Sequence, residues 1–311
     1  MLDRFSGMQV FSKVAALGSF SAAARSLAMS PAMATRHVDT LEDRLGTRLF
    51  FRSTRKLTLT EAGQRYLQAS ERILAEIEEA DAAATVDVVE PRGTLRLNVP
   101  LAFGLRQVMP AIADFAALYP ALTIDIGLTD RFVDLIDEGW DIAVRLGTLR
   151  DSSLIARTLA PIRVALCAAP AYLAAHGTPQ TVADLAAHNC LGYTLPTAAS
   201  ATRWMFGEDG SVAVPVRGML IVNNGDALRT AAIAGQGLIY QPTFIVADDI
   251  RAGRLISLTL DQPTARFGAA HAVYAGGRQP PAKVRTLIDF LASRWRDAPW
   301  DHGLPSLESE D

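Results

Sequence analysis

The sequence predicts an α/β protein with a small, mainly helical head, a connecting helix, and a larger body in which strands and helices alternate. Three observations carry that expectation. Through the first ninety positions apolar residues recur at spacings of three and four, the period of an amphipathic helix. From Leu95 onward short aliphatic runs alternate with helical patterns, the order of a sheet flanked by helices. Charge divides along the same line. Residues 1–60 carry nine basic side chains (Arg4, Lys13, Arg25, Arg36, Arg44, Arg48, Arg52, Arg55, Lys56) against four acidic ones (Asp3, Asp39, Glu42, Asp43), a surplus of five. The whole chain stands at −3, which leaves −8 for the remainder. A basic head on an acidic body suits a head that alone meets a polyanion. Half of the 311 residues are hydrophobic and a fifth charged, enough apolar material for two or three packed units.

In the head, Phe5, Met8, Phe11, Val14 and Ala15 mark a first helix that stops at Leu17-Gly18-Ser19. Ser21 reads as the cap of a short Ala-rich helix, Ala22 to Ala28. After a break of only Met29-Ser30, Ser30 supplies an N-cap and Pro31 the first turn of a third helix. Its buried stripe is Ala34, Val38, Leu41 and Leu45, and Gly46 sits where a glycine cap belongs. Two helices joined by so tight a turn cross steeply, as in a helix-turn-helix.

With that stripe inward, the N-terminal end of the third helix turns outward, and this is the end that enters the major groove in such motifs. The candidate DNA contacts there are Ser30, Pro31, Ala32, Met33, Thr35 and Arg36. Arg36 can offer two donors to a guanine edge, and Thr35 can reach a phosphate or a thymine methyl. The small Ala32 lets the backbone approach. His37 is either a further contact or a partly buried imidazole.

Leu49-Phe50-Phe51 and Lys56-Leu57-Thr58-Leu59 read as two short strands, a wing whose tip offers Arg52, Ser53, Thr54, Arg55 and Lys56 to phosphates or the minor groove. Such contacts supply affinity and salt sensitivity rather than sequence choice. Thr60 then caps a long helix to about Ala84, with Glu61 favourable in its first turn. Its stripe (Ala62, Tyr66, Ala69, Ile73, Ile77, Ala80, Ala84) is Ala-rich and slips phase between Ile73 and Ile77, so a paired linker helix is expected, not a long coiled coil. A dimer would present two third helices to a two-fold symmetric stretch of double-stranded DNA.

The body opens with Leu95–Val99, Leu105–Tyr119, Leu122–Leu128, Phe132–Glu138 and Ile142–Leu146, a βαβ alternation that predicts a mostly parallel sheet. A second set runs Ile162–Ala168, Tyr172–Ala175, Ala183–Ala187, Val212–Val222, Ala227–Ala234, Leu238–Gln241 and Val246–Ala252. A strand at Ala270–Ala275 and a helix at Ala282–Arg296 rejoin the first set, giving two Rossmann-like lobes with crossings near residues 161–163 and 266–269. Ligands bind beyond the carboxyl ends of strands in such sheets. The candidate lining residues are Leu101, Ala102, Phe103, Thr129, Arg145, Gly147, Asn223, Thr243 and Phe244. Thr129, Asn223 and Thr243 would hydrogen-bond a ligand, and Phe103 and Phe244 would wall an apolar pocket. Arg145 neutralises a carboxylate or pairs internally with an acidic residue. A small organic effector, an organic acid among the candidates, is the expected ligand.

Phe20-Ser-Ala-Ala-Ala-Arg25, Ser30-Pro31, Arg36, Leu41-Glu42, Leu45-Gly46, Leu49-Phe50 and Thr60-Glu-Ala-Gly63 together resemble the LysR-type transcriptional regulators. The likeness continues through Pro91-Arg-Gly-Thr-Leu-Arg-Leu97, Tyr119-Pro120, Asp134-Leu135, Asp141-Ile-Ala-Val-Arg-Leu-Gly147 and Asn223-Asn-Gly225, to about residue 295. It implies a homodimer or dimer of dimers, dimerisation through the linker helix, an effector domain built like the periplasmic binding proteins, and RNA polymerase as a further partner. Ala32 and Ala102 depart from a frequent Ser and a frequent Ser or Thr, which alters the operator contacts and removes one common effector hydrogen bond. The domains expected are a winged helix-turn-helix at 1–60, a linker at 61–90, and an effector-binding body at 91–297. Within the body, lobe I is 91–161 with 268–297 and lobe II is 162–267; a mobile tail fills 298–311.

Other functions find little support. There is no GxGxxG, P-loop, GxSxG or HExxH, and the five histidines are scattered, so neither catalysis nor a resident metal or cofactor is expected. Gly235-Gln-Gly237 is a weak phosphate-loop signal or a helix-to-strand turn. Cys167 and Cys190 lack ligand spacing and read as reduced thiols. No signal peptide and no stretch of membrane-spanning length is evident, which predicts a cytoplasmic protein. The rival reading is a metabolite-binding protein whose head meets other proteins instead of DNA.

Overall fold

Asp3, Ser19 and Ser30 each accept a hydrogen bond from the backbone N–H three residues on, and each starts a helix: α1 (Arg4–Leu17), α2 (Phe20–Ser26) and α3 (Pro31–Leu45). These belong to a computed structural model that describes residues 3–52, 57–83, 91–149, 152–194, 201–276 and 280–304. Helix α2 begins two residues earlier than expected, capped by Ser19 and not Ser21. Phe20, at its first position, packs on Phe50 (5.9 Å between ring centres), which fixes the start. Gly46 ends α3 in a left-handed conformation. Ala34, Val38 and Leu41 are buried as expected, but Leu45 is 39% exposed because the last turn of α3 runs past the core. Strands β1 (Phe50–Arg52) and β2 (Leu57–Leu59) pair antiparallel, and α4 (Glu61–Ala83) follows. Phe11 ties the unit together, its ring 5.2 Å from Phe50 and 5.5 Å from Tyr66 on α4.

The contacts divide the chain into two compact units, Met1–Gly93 and Thr94–Asp311. The second starts from β3 (Gly93–Val99), followed by α5 (Leu101–Phe103), a π turn at Gly104–Val108, and α6 (Met109–Leu118). Residues 101–118 are, against expectation, long and apolar enough to cross a membrane. Here they form a core helix that buries Phe103, Val108, Ile112 and Phe115, with Asp114 paired to Arg294 on the other side (2.7 Å). Next come β4 (Leu122–Leu128), β5 (Ile142–Gly147), β6 (Ile155–Pro161), β7 (Val164–Ala168) and α7 (Pro170–His176). A 3₁₀ turn (Val182–Ala187) leads to β8 (Gly192–Tyr193), β9 (Arg203–Phe206), β10 (Val212–Pro215) and β11 (Ile221–Val222). The order closes with α8 (Gly225–Ile233), β12 (Ile239–Pro242), α9 (Thr243–Arg251), β13 (Ile256–Leu258), β14 (Ala269–Tyr274) and α10 (Ala282–Trp295).

Two main sheets result, ordered β4-β3-β5-β14-β6 and β12-β7-β13. β3 and β5 are parallel, but β14 runs antiparallel to both its neighbours and β7 to both of its own, so the first sheet is mixed, the second antiparallel, and neither mostly parallel. Strands β6, β8, β9 and β13 were not anticipated. The expected single segment Val212–Val222 is two strands, β10 and β11. Residues 132–138 form turns and no helix, because the Asp134 carboxylate accepts the N–H groups of Ile136 (2.9 Å) and Asp137 (3.0 Å). The chain leaves the first sheet at Ile162 and re-enters it at Gly268, where the Ile162 N–H meets the Gly268 carbonyl (3.0 Å). Asp141 anchors the start of β5, accepting from the Arg96 N–H and the Lys283 ammonium (2.8 Å each).

The stretch expected to open a mobile tail is packed. Ala298, Trp300 and Leu304 are buried, and the Trp300 ring lies 5.7 Å from Phe103 and 6.3 Å from Trp295. Arg251 donates to the Trp300 carbonyl (2.6 Å). A polar, Pro- and Gly-containing composition hid a single anchoring tryptophan. Residues 305–311 lie outside the described residues.

Candidate nucleic-acid interface and ligand cleft

The outer face of α3 is built by what its inner face must bury. Ser30 holds the Met33 N–H (3.2 Å) and Pro31 occupies the first turn. This leaves Pro31, Ala32, Met33 and Arg36 exposed in the helix's first half. Thr35 turns its hydroxyl back to the Pro31 carbonyl (3.0 Å) and presents its methyl instead. Arg36 has no ion-pair partner among the described residues. His37 is buried, its Nδ1 without a partner, which decides against an outward contact. In the wing, Arg52 closes β1, and Ser53, Thr54, Arg55 and Lys56 lie outside the described residues.

Sequence reasoning missed the polar knot that orients these parts. The Glu42 side chain is buried, and Oε1 accepts the N–H groups of Leu49 (2.7 Å) and Phe50 (3.1 Å) while Oε2 takes Arg48 (2.8 Å). Thr60 donates its hydroxyl to the Arg48 carbonyl (2.7 Å), accepts the Gly63 N–H (2.9 Å), and gives its own N–H to the Leu49 carbonyl (2.9 Å). A Cβ on Gly63 would fall well inside contact with that carbonyl, so only glycine fits. The readable signal was a glutamate beside an apolar stripe at Leu41-Glu42.

In the body, the segments expected to line a cleft come together around the ends of β3, β4 and β5 and the start of α8. Asp130 accepts the Leu101 N–H (3.0 Å), and the Thr129 N–H is held by the Val99 carbonyl (2.9 Å). Thr129 Oγ1 accepts the Arg131 N–H (3.2 Å). Asn224 caps α8 through the Ala227 N–H (3.0 Å), with Asn223 exposed beside it. Gly147 adopts a positive φ of 100° where the chain bends against Phe267.

Several lining assignments are corrected. Phe103 and Phe244 wall no pocket; they are buried with ring centres 5.0 Å apart, and Phe103 also meets Trp295 at 5.2 Å. Thr243 is fully buried and gives both its N–H (2.9 Å) and its hydroxyl (3.3 Å) to the Arg163 carbonyl. Ala102 is buried as well. Arg145 makes no ion pair with an acidic residue among the described residues. Its guanidinium lies 4.0 Å from the centre of the Phe132 ring and donates to the Val133 carbonyl (3.3 Å), and burial draws its pKa down against the opposing charge of Asp134. Gly235 closes α8 in a left-handed turn, so that glycine pair is a helix-to-strand connection. Cys167 and Cys190 are free and buried, and burial pushes the Cys190 thiol up to about 12. No group of three or more His, Cys, Asp or Glu among the described residues is placed to hold a metal ion.

The helical head and the two-sheet body each match a family model. Residues 5–64 match the bacterial regulatory helix-turn-helix protein of the lysR family, and residues 89–296 match the LysR substrate binding domain. The chain belongs to the LysR-type transcriptional regulators. It is therefore a DNA-binding regulator with an effector-binding domain, in a family that is not enzymatic. The regulator CrgA of Neisseria meningitidis serogroup B is 34% identical over 284 residues, covering 91% of this chain and 94% of that one. DmlR of Escherichia coli is 33% identical, covering 93% and 94%. Among solved structures, CrgA superposes with a TM-score of 0.60 at 33% identity over 94% of this chain and 99% of that chain. Full-length AphB, a Vibrio cholerae virulence activator, gives 0.57 at 28% identity over 94% and 99%.

Proposed function

We propose that this LysR-type regulator reads its operator with the exposed first half of α3, Arg36 making the base-specific contact and Ser30, Pro31, Ala32, Met33 and the Thr35 methyl fitting the groove around it. The observation that supports this most directly is Arg36 itself: an exposed guanidinium on a helix docked by its opposite face, engaged by no acidic side chain among the described residues. The wing residues Arg52 to Lys56 add backbone contacts. The protein acts in the cytoplasm as a homodimer or dimer of dimers joined through α4, on which Ile73 is exposed, and it communicates with RNA polymerase. A small molecule bound between the two sheets, near Leu101, Thr129, Gly147 and Asn223, sets the output.

Fluorescence anisotropy with the upstream intergenic DNA across a salt series tests the reading. Sequence-selective binding should weaken steeply with salt, and Arg36→Ala should lose about 1–3 kcal/mol of discrimination between operator and scrambled DNA. A variant that discriminates as well as the parent removes Arg36 from the readout.

A further inference from the structure

The segment after α10 closes over the crossing at Pro161–Arg163, where the chain leaves the first sheet. Ala298 turns it with a positive φ of 42°, and a short 3₁₀ turn, Pro299–Asp301, follows. Trp300 enters the core among Phe103 (5.7 Å between ring centres), Trp295 (6.3 Å) and Phe244 (6.4 Å). Arg251 of α9 holds the carbonyls on either side of the next residue, those of Trp300 (2.6 Å) and His302 (2.8 Å). Clamped between them, Asp301 has only 7% of its side chain exposed.

That carboxylate is short of donors. Neither Oδ1 nor Oδ2 receives a hydrogen bond. The Thr243 hydroxyl beside it gives its proton to the Arg163 carbonyl (3.3 Å). Arg251 spends its donors on the two carbonyls and on Asp248 (2.8 Å). Arg163 faces Asp301 but stands off, Nε to Oδ2 at 3.9 Å, beyond the about 2.7–2.9 Å of a charge-assisted hydrogen bond. Burial holds the carboxyl above its ordinary range against the Thr243 hydroxyl and the charges of Arg163, Arg251 and His302.

Asp301 lines a cavity of about 340 Å³ with Pro161 and Arg163 of the crossing and Asp297, His302 and Gly303 of the closing segment. Small-molecule sites occupy about 300–1,000 Å³. Two carboxylates face one guanidinium in this cavity, so its charge leans negative. No group of three or more His, Cys, Asp or Glu among the described residues is placed for a metal ion, which leaves an organic cation. Two vacant oxygens on one carboxylate match the two parallel N–H groups of a guanidinium, fork to fork.

We propose that this cavity is a second small-molecule site, sharing no lining residue with the cleft, and that it takes a ligand with a guanidinium head paired to both oxygens of Asp301. Its walls belong to the crossing and to the closing segment, so an occupant ties the one to the other.

The test is calorimetric titration of the full chain above neutral pH at constant ionic strength. The probes are methylguanidinium, ethylammonium, and tetramethylammonium as a cation without N–H donors. Melting curves of the unliganded variants check folding. Methylguanidinium should bind saturably, ethylammonium more weakly and tetramethylammonium not at all, and Asp301→Asn should weaken methylguanidinium about tenfold. Arg163→Gln removes the like charge and should tighten binding about threefold, an effect of opposite sign that stands even if Asp301→Asn fails to fold. Absence of saturable binding, the result if Arg163 itself closes on Asp301, overturns the proposal. So does equal binding of methylguanidinium and ethylammonium, or weaker binding in Arg163→Gln. Binding that survives Asp301→Asn but is lost in Asn223→Ala moves the ligand to the cleft and overturns it as well.

Discussion

The outer face of α3 and the interval between the two sheets were both expected to meet ligands, yet they differ in how much chemistry the protein keeps for itself. Among the described residues Arg36 has no ion-pair partner, and the helix docks by its opposite face, where Ala34, His37, Val38, Leu41 and Glu42 are buried. In the cleft, by contrast, Arg106 is bound to Asp226, Arg145 to a carbonyl and a ring, and Thr243 to Arg163, while Phe103 and Phe244 are core. A helix anchored along one stripe leaves its other side free. Strand ends and loops must first satisfy their own backbone and the neighbouring sheet. An outward side chain on a docked helix is therefore a better pointer to an external partner than a polar side chain at a strand end.

The sharpest way to break this contrast is Trp300→Ala. If the body commits its aromatic residues to packing, loss of the Trp300 contacts with Phe103, Phe244 and Trp295 should cost about 3–5 kcal/mol, seen as a lower calorimetric transition of the body. An unchanged transition would return residues 298–304 to the status of a tail. In the head, Glu42→Ala strands two buried N–H groups and should cost about 3 kcal/mol in hydrogen-exchange protection of α3 and the wing strands, with the body unaffected. Equal loss of protection in both units would deny the head its separate stability.

Acid provides a third test. Burial alone would raise the Asp249 carboxyl, but hydrogen bonds and charge from Arg229 and Arg254 outweigh it and hold the pKa below the ordinary aspartate value. The stability this contributes is present above the ordinary aspartate pKa and is lost as pH falls through the lowered folded value. Asp249→Asn should flatten that acid limb in the body's denaturation profile and leave the head's alone. The smallest effect is Ala28→Gly, at the left-handed turn (φ 52°) between α2 and α3. Relief of backbone strain should exceed the entropy cost of glycine and raise head stability by about 0.5–1 kcal/mol, read from exchange of the α2 amides. A loss of protection there would mean that the turn carries no strain.

What was legible in the sequence follows the range of the interactions. The first and third head helices were visible in the spacing of their apolar residues, the third also in its Ser30 cap, and the misplaced start of α2 was an error between two serines flanking Phe20. The Glu42–Leu49 and Thr60–Arg48 bonds span seven and twelve residues between different elements, and no local pattern announces them. Phe103 and Phe244 sit where an aromatic ring is equally at home in a pocket or a core, and only the arrival of Trp295 and Trp300 decides. Strand β6 was missed because most of its residues are exposed, so it has no apolar alternation to read.

The knot of Thr60, Gly63 and Leu49 has a mechanical consequence. With the Gly63 backbone pressed against the Leu49 carbonyl, and Leu49 held in turn by Glu42 of α3, the start of α4 and the end of α3 have no slack between them. They behave as a shaft keyed to its rotor: the first turn of α4 cannot slide past Leu49 without breaking the bonds that Thr60 and Glu42 make there.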